Sequence, residues 1–185
     1  MRPRAFLLAV CLPTLAACRG ETPAPVAPPQ PVAPCSGTVE AHDGLAAIED
    51  PALLKQALGE PGKGDLCTGK AFAVTRPLKV YRVWDKAKAG TQLGRWWSFA
   101  RPAGPVEAYR LANVICPEWS ALDIVSECTL KPGSHVVMGP GQSATCAGGP
   151  YPASPTNQVF VNNDMRAPGS PRLLVEGCTP GSAWP

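Results

Sequence analysis

Six cysteines spread between residues 35 and 178 constrain the fold of this chain more than any other feature. They form an even set, and in an exported protein such a set favours three disulfides. A zinc site is the alternative, but the chain has no CxxC pair, and His42 and His135 stand at no ligand spacing. Many pairings are open, and the sequence does not choose among them. The cysteines are Cys35, Cys67, Cys116, Cys128, Cys146 and Cys178.

The N-terminus predicts export. Arg2 and Arg4 precede an apolar run that ends in small residues, which is the pattern of a secretory signal peptide. The apolar run is too short to span a bilayer, because a spanning helix needs about 20 residues. We therefore expect residues 1–17 to be removed and to take no part in the fold.

The tetrapeptide Leu15-Ala16-Ala17-Cys18 resembles the lipobox of bacterial lipoproteins. The resemblance implies cleavage before Cys18 and attachment of a lipid to its thiol. The protein would then be exported and anchored to a membrane of the cell envelope, at the outer membrane or the cell surface. An ordinary signal peptide with an incidental cysteine is the alternative, and it also places the remaining six cysteines outside the cytoplasm.

Residues 18–34 are predicted to form a stalk. Prolines stand at positions 23, 25, 28, 29, 31 and 34 of this segment. Proline lacks the amide proton that helices and strands require, so the segment is predicted to be extended and semi-rigid. At about 3 Å per residue its full reach is roughly 50 Å.

Residues 35–185 are predicted to form one globular domain, which is long enough to bury a core. Loss of Arg2 and Arg4 with the signal peptide lowers the formal net charge from +3 to +1. No block of lysine and arginine occurs, which argues against nucleic acid as a partner. High proline and glycine with few charges favour many turns and short strands.

Strands mixed with a few short helices predict an α+β fold with a small antiparallel sheet. Asp50 as N-cap, Pro51 in the first turn and Gly59 as a left-handed stop bound a predicted helix. Its buried face would contain Leu53, Leu54, Ala57 and Leu58. Further helices are predicted at 105–112 and 117–122. Strands are predicted, from β-prone runs between turns, at 70–75, 78–84, 95–99, 124–130, 134–138, 158–162 and 173–176.

Arg82 shares one face of a predicted strand with Leu78, Val80 and Trp84. A guanidinium on an apolar face is costly unless it meets an anion or several acceptors. Either an internal carboxylate or a ligand carrying phosphate or carboxylate would satisfy it, and both remain open.

Trp96 and Trp97 are adjacent on a predicted strand, so their indoles point to opposite faces. One of them can line a cleft and offer a flat apolar surface to a ring, or both can belong to the core. Gln158 offers an uncharged amide that can bond a sugar hydroxyl or a water, although an edge-strand surface position is the alternative.

Several segments taken in order resemble the ADP-ribosyltransferase-like NAD glycohydrolase domains of bacterial polymorphic toxins, a group that includes the tuberculosis necrotizing toxin and type VI effector relatives. The likeness covers roughly half of the mature chain, within a core at residues 70–165. The segments are Val80-Tyr81-Arg82-Val83-Trp84, Gly94-Arg95-Trp96-Trp97-Ser98, Pro117-Glu118-Trp119, Lys131-Pro132-Gly133-Ser134 with Gly139, and Asn157-Gln158-Val159-Phe160.

The resemblance implies a split antiparallel sheet, stapled here by disulfides, that binds NAD in a central cleft as a substrate. It implies that Arg82 holds the dinucleotide phosphates and that Gln158 is the catalytic glutamine. The chemistry implied is cleavage of the nicotinamide–ribose bond, without a metal or further cofactor. The residues implied in substrate binding are Tyr81, Trp96, Trp97 and Ser98.

Two interpretations of function follow. In the first the protein is a toxin-like NAD(P) glycohydrolase, which implies a small immunity protein as a partner. No Glu-x-Glu pair, typical of arginine-modifying transferases, accompanies Gln158, which favours hydrolysis over protein modification. In the second the protein is a non-enzymatic envelope lipoprotein that binds a ligand or has a structural role, since a fold does not fix a function.

Overall fold

The computed structural model describes residues 34–40, 42–88, 90–164 and 172–185 of the chain. These residues belong to one compact unit, Val32–Pro185. The predicted signal peptide, the lipidation site Cys18 and the stalk up to residue 33 lie outside the described residues. Neither helix in the described part reaches the length and apolarity that crossing a membrane requires.

The described domain is mostly antiparallel sheet with two short helices, which confirms the α+β prediction. The helices are α1 (Pro51–Ala57) and α2 (Val106–Asn113). The strands are β1 (Leu45–Ile48), β2 (Lys70–Val74), β3 (Leu78–Trp84), β4 (Trp96–Trp97), β5 (Ile124–Leu130), β6 (His135–Gly141), β7 (Ala144–Cys146), β8 (Gly149–Tyr151), β9 (Ser154–Val161), β10 (Val175–Glu176) and β11 (Ser182–Ala183).

The strands form two main sheets and a small hairpin. The first sheet has the order β1-β2-β6-β9-β4, and the second has β5 at its centre with β3 on one side and β10 and β11 on the other. The hairpin joins β7 to β8. Tyr81 and Ser98 exchange backbone hydrogen bonds of 2.8 and 2.9 Å. This bridge places β3 beside β4 and so brings Arg82 next to Trp96.

The largest core cluster combines side chains from both main sheets, among them Val80, Leu130, Val159 and Trp97. A second cluster packs Leu53 of α1 against the opposite face of the first sheet. Alternation along the strands sends successive side chains to these two clusters, which is why the apolar runs of β6 and β9 are buried on both faces.

Helix α1 begins as predicted, because the Asp50 carboxylate accepts a hydrogen bond of 3.0 Å from the backbone N–H of Leu53. Its predicted end is wrong. The cap is Leu58 in an extended conformation rather than a left-handed Gly59, and the Leu58 side chain is exposed. The reason is that Leu58 forms a parallel β-bridge with Leu66, in which the backbone N–H of Gly59 donates to the carbonyl of Leu66. The chain is therefore extended where the left-handed stop was predicted.

The helix predicted at 117–122 is also wrong, because residues 117–119 form a turn. Arg110 of α2 explains this. Its guanidinium donates to the carbonyls of Cys116, Ser120 and Ala121. These oxygens therefore accept hydrogen bonds from a buried cation and do not form the backbone bonds of a helix. Residues 116–122, named here the Trp119 loop, are therefore fixed by α2.

Three disulfides are present, as predicted from the even cysteine count. They pair Cys35 with Cys67, Cys116 with Cys146, and Cys128 with Cys178. The Cys116–Cys146 bond joins the Trp119 loop to β7, and the Cys128–Cys178 bond joins β5 to the C-terminal segment.

Candidate functional site

A cavity of about 370 Å³, named here the cleft, opens beside β3, β4 and β9. Its wall carries charged, amide and indole groups together, and a volume of this size lies within the range of small-molecule sites. The cleft brings together Arg82, Trp96 and Gln158, which the sequence analysis named as candidate site residues. It adds Lys63, Asp65, Asn113 and Trp119, which the sequence analysis did not assign.

The Arg82 guanidinium is held by backbone carbonyls. Its Nε donates to the carbonyl of Thr91 and its Nη1 to the carbonyl of Trp96, both at 2.6 Å. A guanidinium has five N–H groups, and no acceptor among the described residues bonds to the other three. Among the described residues no carboxylate lies within ion-pair distance of Arg82, and the internal salt bridge considered as one partner is not formed there.

Burial lowers the pKa of Arg82 to about 10, so the group stays cationic at neutral pH. Burial also raises the pKa of the neighbouring Tyr109 phenol to about 12, partly offset by the charge of Arg82. The phenol is therefore neutral and does not balance the cation. The cleft retains a positive charge that an anionic ligand would neutralise.

Gln158 is buried in β9, not at an exposed strand edge. Its Nε2 donates to the carbonyl of Asn113 at the end of α2, at 3.1 Å. In the described part of the chain, no donor bonds to its Oε1. The amide is thus oriented from one side and offers its oxygen as an acceptor to a hydroxyl or a water.

The two adjacent tryptophans of β4 separate as the alternation predicts. Trp96 lines the cleft and packs edge-on against Phe160 with ring centroids 5.1 Å apart. Trp97 is buried in the main core, where its indole N–H donates to the carbonyl of Gly94. Only Trp96 is placed to contact a ligand in the cleft.

Tyr81, Trp97 and Ser98, which the resemblance implied in substrate binding, do not line the cleft beside Arg82. Tyr81 faces a separate depression with Arg101, and Ser98 lies beside His42 in another. Strand alternation explains this for Tyr81, whose side chain points to the face opposite that of its neighbour Arg82.

Backbone strain concentrates at the cleft. Among the described residues, three other than glycine have positive φ angles, and all three line the cleft. They are Asp65 at 65°, Val114 at 50° and Leu122 at 55°. A β-branched or bulky residue in this region is a true outlier, and such strain is typical of ligand-binding and active sites.

Trp119 supplies a second indole to the cleft wall, and 44% of its surface is exposed. The Trp119 loop is held by Arg110, by the Cys116–Cys146 disulfide, and by Asp85, which accepts from the backbone N–H of Ala121 at 3.2 Å. Its aromatic character in Pro117-Glu118-Trp119 was the only sequence signal, because the contacts that aim it are long-range.

Cys116, Glu118 and Cys146 place three ligand-type atoms within 4.8 Å of one another. The two sulfurs are bonded to each other, and Glu118 accepts a hydrogen bond of 2.8 Å from the backbone N–H of Ala147. In this oxidised state the group acts as a cross-link and not as a ligand set.

Comparisons with protein-family models, with curated proteins and with solved structures found no match to this chain. The assignment of the cleft therefore depends on its own geometry and chemistry.

Proposed function

We propose that this is an exported, lipid-anchored protein that binds NAD(P) in the cleft and hydrolyses the nicotinamide–ribose bond. The observation that supports it most is Arg82, a cation with free donors and no carboxylate partner in the described domain, set in one cavity with an indole and the Gln158 amide. Phosphate fits the guanidinium and a planar ring fits the indole.

In this proposal each residue of the cleft contacts a different part of the dinucleotide. Arg82 binds a phosphate of the dinucleotide, and Trp96 with Trp119 contacts the nicotinamide ring. Gln158, oriented through Asn113, holds a ribose hydroxyl or the attacking water. These contacts position the reactants and favour the charge distribution of an oxocarbenium-like ribose.

The reaction itself needs little acid catalysis. The bond between ribose C1′ and the ring nitrogen breaks, and its electron pair neutralises the positive pyridinium. Water adds to C1′ and releases a proton to the solvent. The leaving group is neutral nicotinamide, so the protein has to exclude misplaced water and hold the ribose, which rigid strained walls favour.

The direct test mixes the purified, disulfide-bonded protein with NAD and follows free nicotinamide. Arg82→Ala is expected to abolish release. It should also cost about 1–3 kcal/mol of stability, because the carbonyls of Thr91 and Trp96 lose their donor, so the assay is run well below the melting temperature of the variant. Arg101→Ala, which removes an arginine outside the cleft, is the matched control and is expected to retain activity. No release by the unmodified protein, oxidised or reduced, would falsify the enzymatic proposal.

A non-enzymatic binding lipoprotein is the second candidate, and the three disulfides favour it. Disulfides persist in oxidising compartments, whereas NAD is scarce outside the cytoplasm. This candidate predicts that NAD or another anionic ring compound raises the melting temperature without release of nicotinamide.

The toxin interpretation also predicts partners and a location. Expression of residues 35–185 in the cytosol of a cell should be harmful. A small immunity protein should suppress this harm by covering the cleft. Cys18→Ala should release the exported protein from the membrane fraction. Retention of that variant in the membrane would contradict anchoring through Cys18.

A further inference from the structure

Asp65 is the acidic side chain among the described residues that line the cleft. Its backbone is fixed at a φ of 65°, where its carbonyl accepts a hydrogen bond of 2.9 Å from the backbone N–H of Gln142. The preceding Gly64 donates from its N–H to the carbonyl of Ser143, also at 2.9 Å. The direction of the Asp65 side chain is therefore set by a strained, hydrogen-bonded main chain.

The Asp65 carboxylate has no partner among the described residues. No donor reaches it within hydrogen-bond distance, and the cleft cations Lys63 and Arg82 lie outside ion-pair distance. Loss of surrounding water raises the pKa of the carboxyl above its ordinary 3.8, and the charge of Arg95 only partly opposes this. The Asp65 side chain is exposed, and it lines the cleft, where a bound ligand could reach its carboxylate.

The negative and positive groups of the cleft do not neutralise each other. The charge that acts on Asp65 is that of Arg95, whereas Arg82 interacts with Tyr109. The described residues of the cleft therefore carry one carboxylate, Asp65, and two cations, Lys63 and Arg82, and neither cation forms an ion pair with the carboxylate. Two indoles, Trp96 and Trp119, line the space with them.

We propose that Asp65 recognises the positive charge of an oxidised pyridinium ring, so that the cleft selects a zwitterion with a cationic ring and an anionic phosphate. The inference rests on the proposed function and assigns to Asp65 the discrimination between oxidised and reduced nicotinamide nucleotides. Reduced nucleotides carry the same phosphates but an uncharged ring. The indole faces act in the same direction, because they attract cations.

Binding is tested by tryptophan fluorescence immediately after mixing with NAD or NADH. The unmodified protein is expected to prefer NAD by about fivefold, the size that a solvent-accessible charge pair contributes. Asp65→Asn keeps the shape of the side chain and tolerates positive φ, but removes the charge. Its NAD affinity is expected to fall to that for NADH, while its NADH affinity stays unchanged.

Asp43→Asn is the matched control, since Asp43 is exposed and lies outside the cleft. It is expected to keep the full preference for NAD. Equal binding of the two nucleotides by the unmodified protein, or a preference that survives in Asp65→Asn, overturns the role of Asp65 and leaves nicotinamide release to decide the proposed function. Binding of neither nucleotide overturns both.

Discussion

The guanidinium of Arg82 occupies the space that a side chain at Gly94 would need. A Cβ built on Gly94 would collide with Nη2 and would lie 2.7 Å from Cζ of Arg82. The backbone of Gly94 is extended, with φ at −69°, so any residue can adopt it. Residue 94 therefore needs to be glycine because of the space that the Arg82 guanidinium fills, and not because of its backbone conformation.

Gly94→Ala is expected to displace the Arg82 side chain and to weaken binding of NAD by at least about tenfold, as loss of a charged hydrogen bond does. The melting temperature should fall modestly, because the displaced guanidinium loses bonds to the carbonyls of Thr91 and Trp96 while the backbone keeps its conformation. Calorimetric titration with NAD and a thermal melt measure the two effects.

The matched control for this substitution is Gly148→Ala. A Cβ at Gly148 meets no atom within 4 Å. The variant should bind and melt like the unmodified protein. If Gly94→Ala also binds NAD normally, the observed position of Arg82 is not needed for the ligand.

Substitution of Trp97 should lower the stability of the fold, whereas substitution of Trp119 should weaken ligand binding. Trp97 is only 3% exposed and lies in the main core. Trp97→Ala is expected to lower the free energy of unfolding by about 3–5 kcal/mol, because it leaves a large cavity. Denaturant unfolding followed by circular dichroism measures this cost.

Trp119→Ala should act on the ligand instead. Its side chain is 44% exposed, so the expected cost in stability is about 1 kcal/mol or less. Loss of one stacking face should weaken NAD binding about tenfold. Leu111→Ala, a truncation of another exposed apolar residue, is the control and should bind normally. Unchanged binding by Trp119→Ala would remove this indole from the site.

Local sequence signals predicted those elements that depend on neighbours in the chain. The start of α1 follows from Asp50 and Pro51, and β3 and β5 follow from alternation over seven residues each. Strands β1, β7, β8 and β11 were missed, because runs of two to four residues carry too little pattern. They form through pairing with partners that the sequence does not identify.

The same distinction applies to the cleft. Arg82 and Trp96 were selected because each is unusual within its own strand. Asp65 and Trp119 were not assigned, since both lie in irregular segments. Backbone bonds to residues 142 and 143 position Asp65, whereas Arg110 and the Cys116–Cys146 disulfide hold the loop of Trp119. Side-chain bonds between distant segments leave no periodic trace in a single sequence.

Asp85 holds the Trp119 loop through a hydrogen bond to its carboxylate, so the stability of the protein should depend on pH in the acid range. Bonds from the backbone N–H of Ala121 and, after the opposing effect of burial, from Ala87 hold the pKa of this carboxyl below its ordinary 3.8. A lowered folded-state pKa stabilises the fold above the unfolded value, and this contribution disappears as the pH falls through the folded value. Asp85 therefore stabilises the protein at neutral pH and ceases to do so below about pH 4.

Asp85→Asn tests this directly, because the amide cannot accept both bonds as a carboxylate does. The variant is expected to melt at a lower temperature than the unmodified protein at pH 7. The gap between the two melting temperatures should shrink as the pH is lowered below about 4. A gap that stays constant down to pH 3 would show that the charge of Asp85 is not the source of its effect.

The Cys116–Cys146 disulfide should matter to the cleft as well as to the fold, because it ties the Trp119 loop to β7. Replacing both cysteines by alanine is expected to lower the free energy of unfolding by about 2–5 kcal/mol and to weaken NAD binding. The control replaces Cys128 and Cys178, neither of which lines the cleft or lies near a lining residue in the sequence, so that loss of their bond should cost stability alone. Calorimetric titration at a temperature where both variants are folded compares them. Equal NAD affinity of the two double variants would mean that the loop keeps its place without the cross-link.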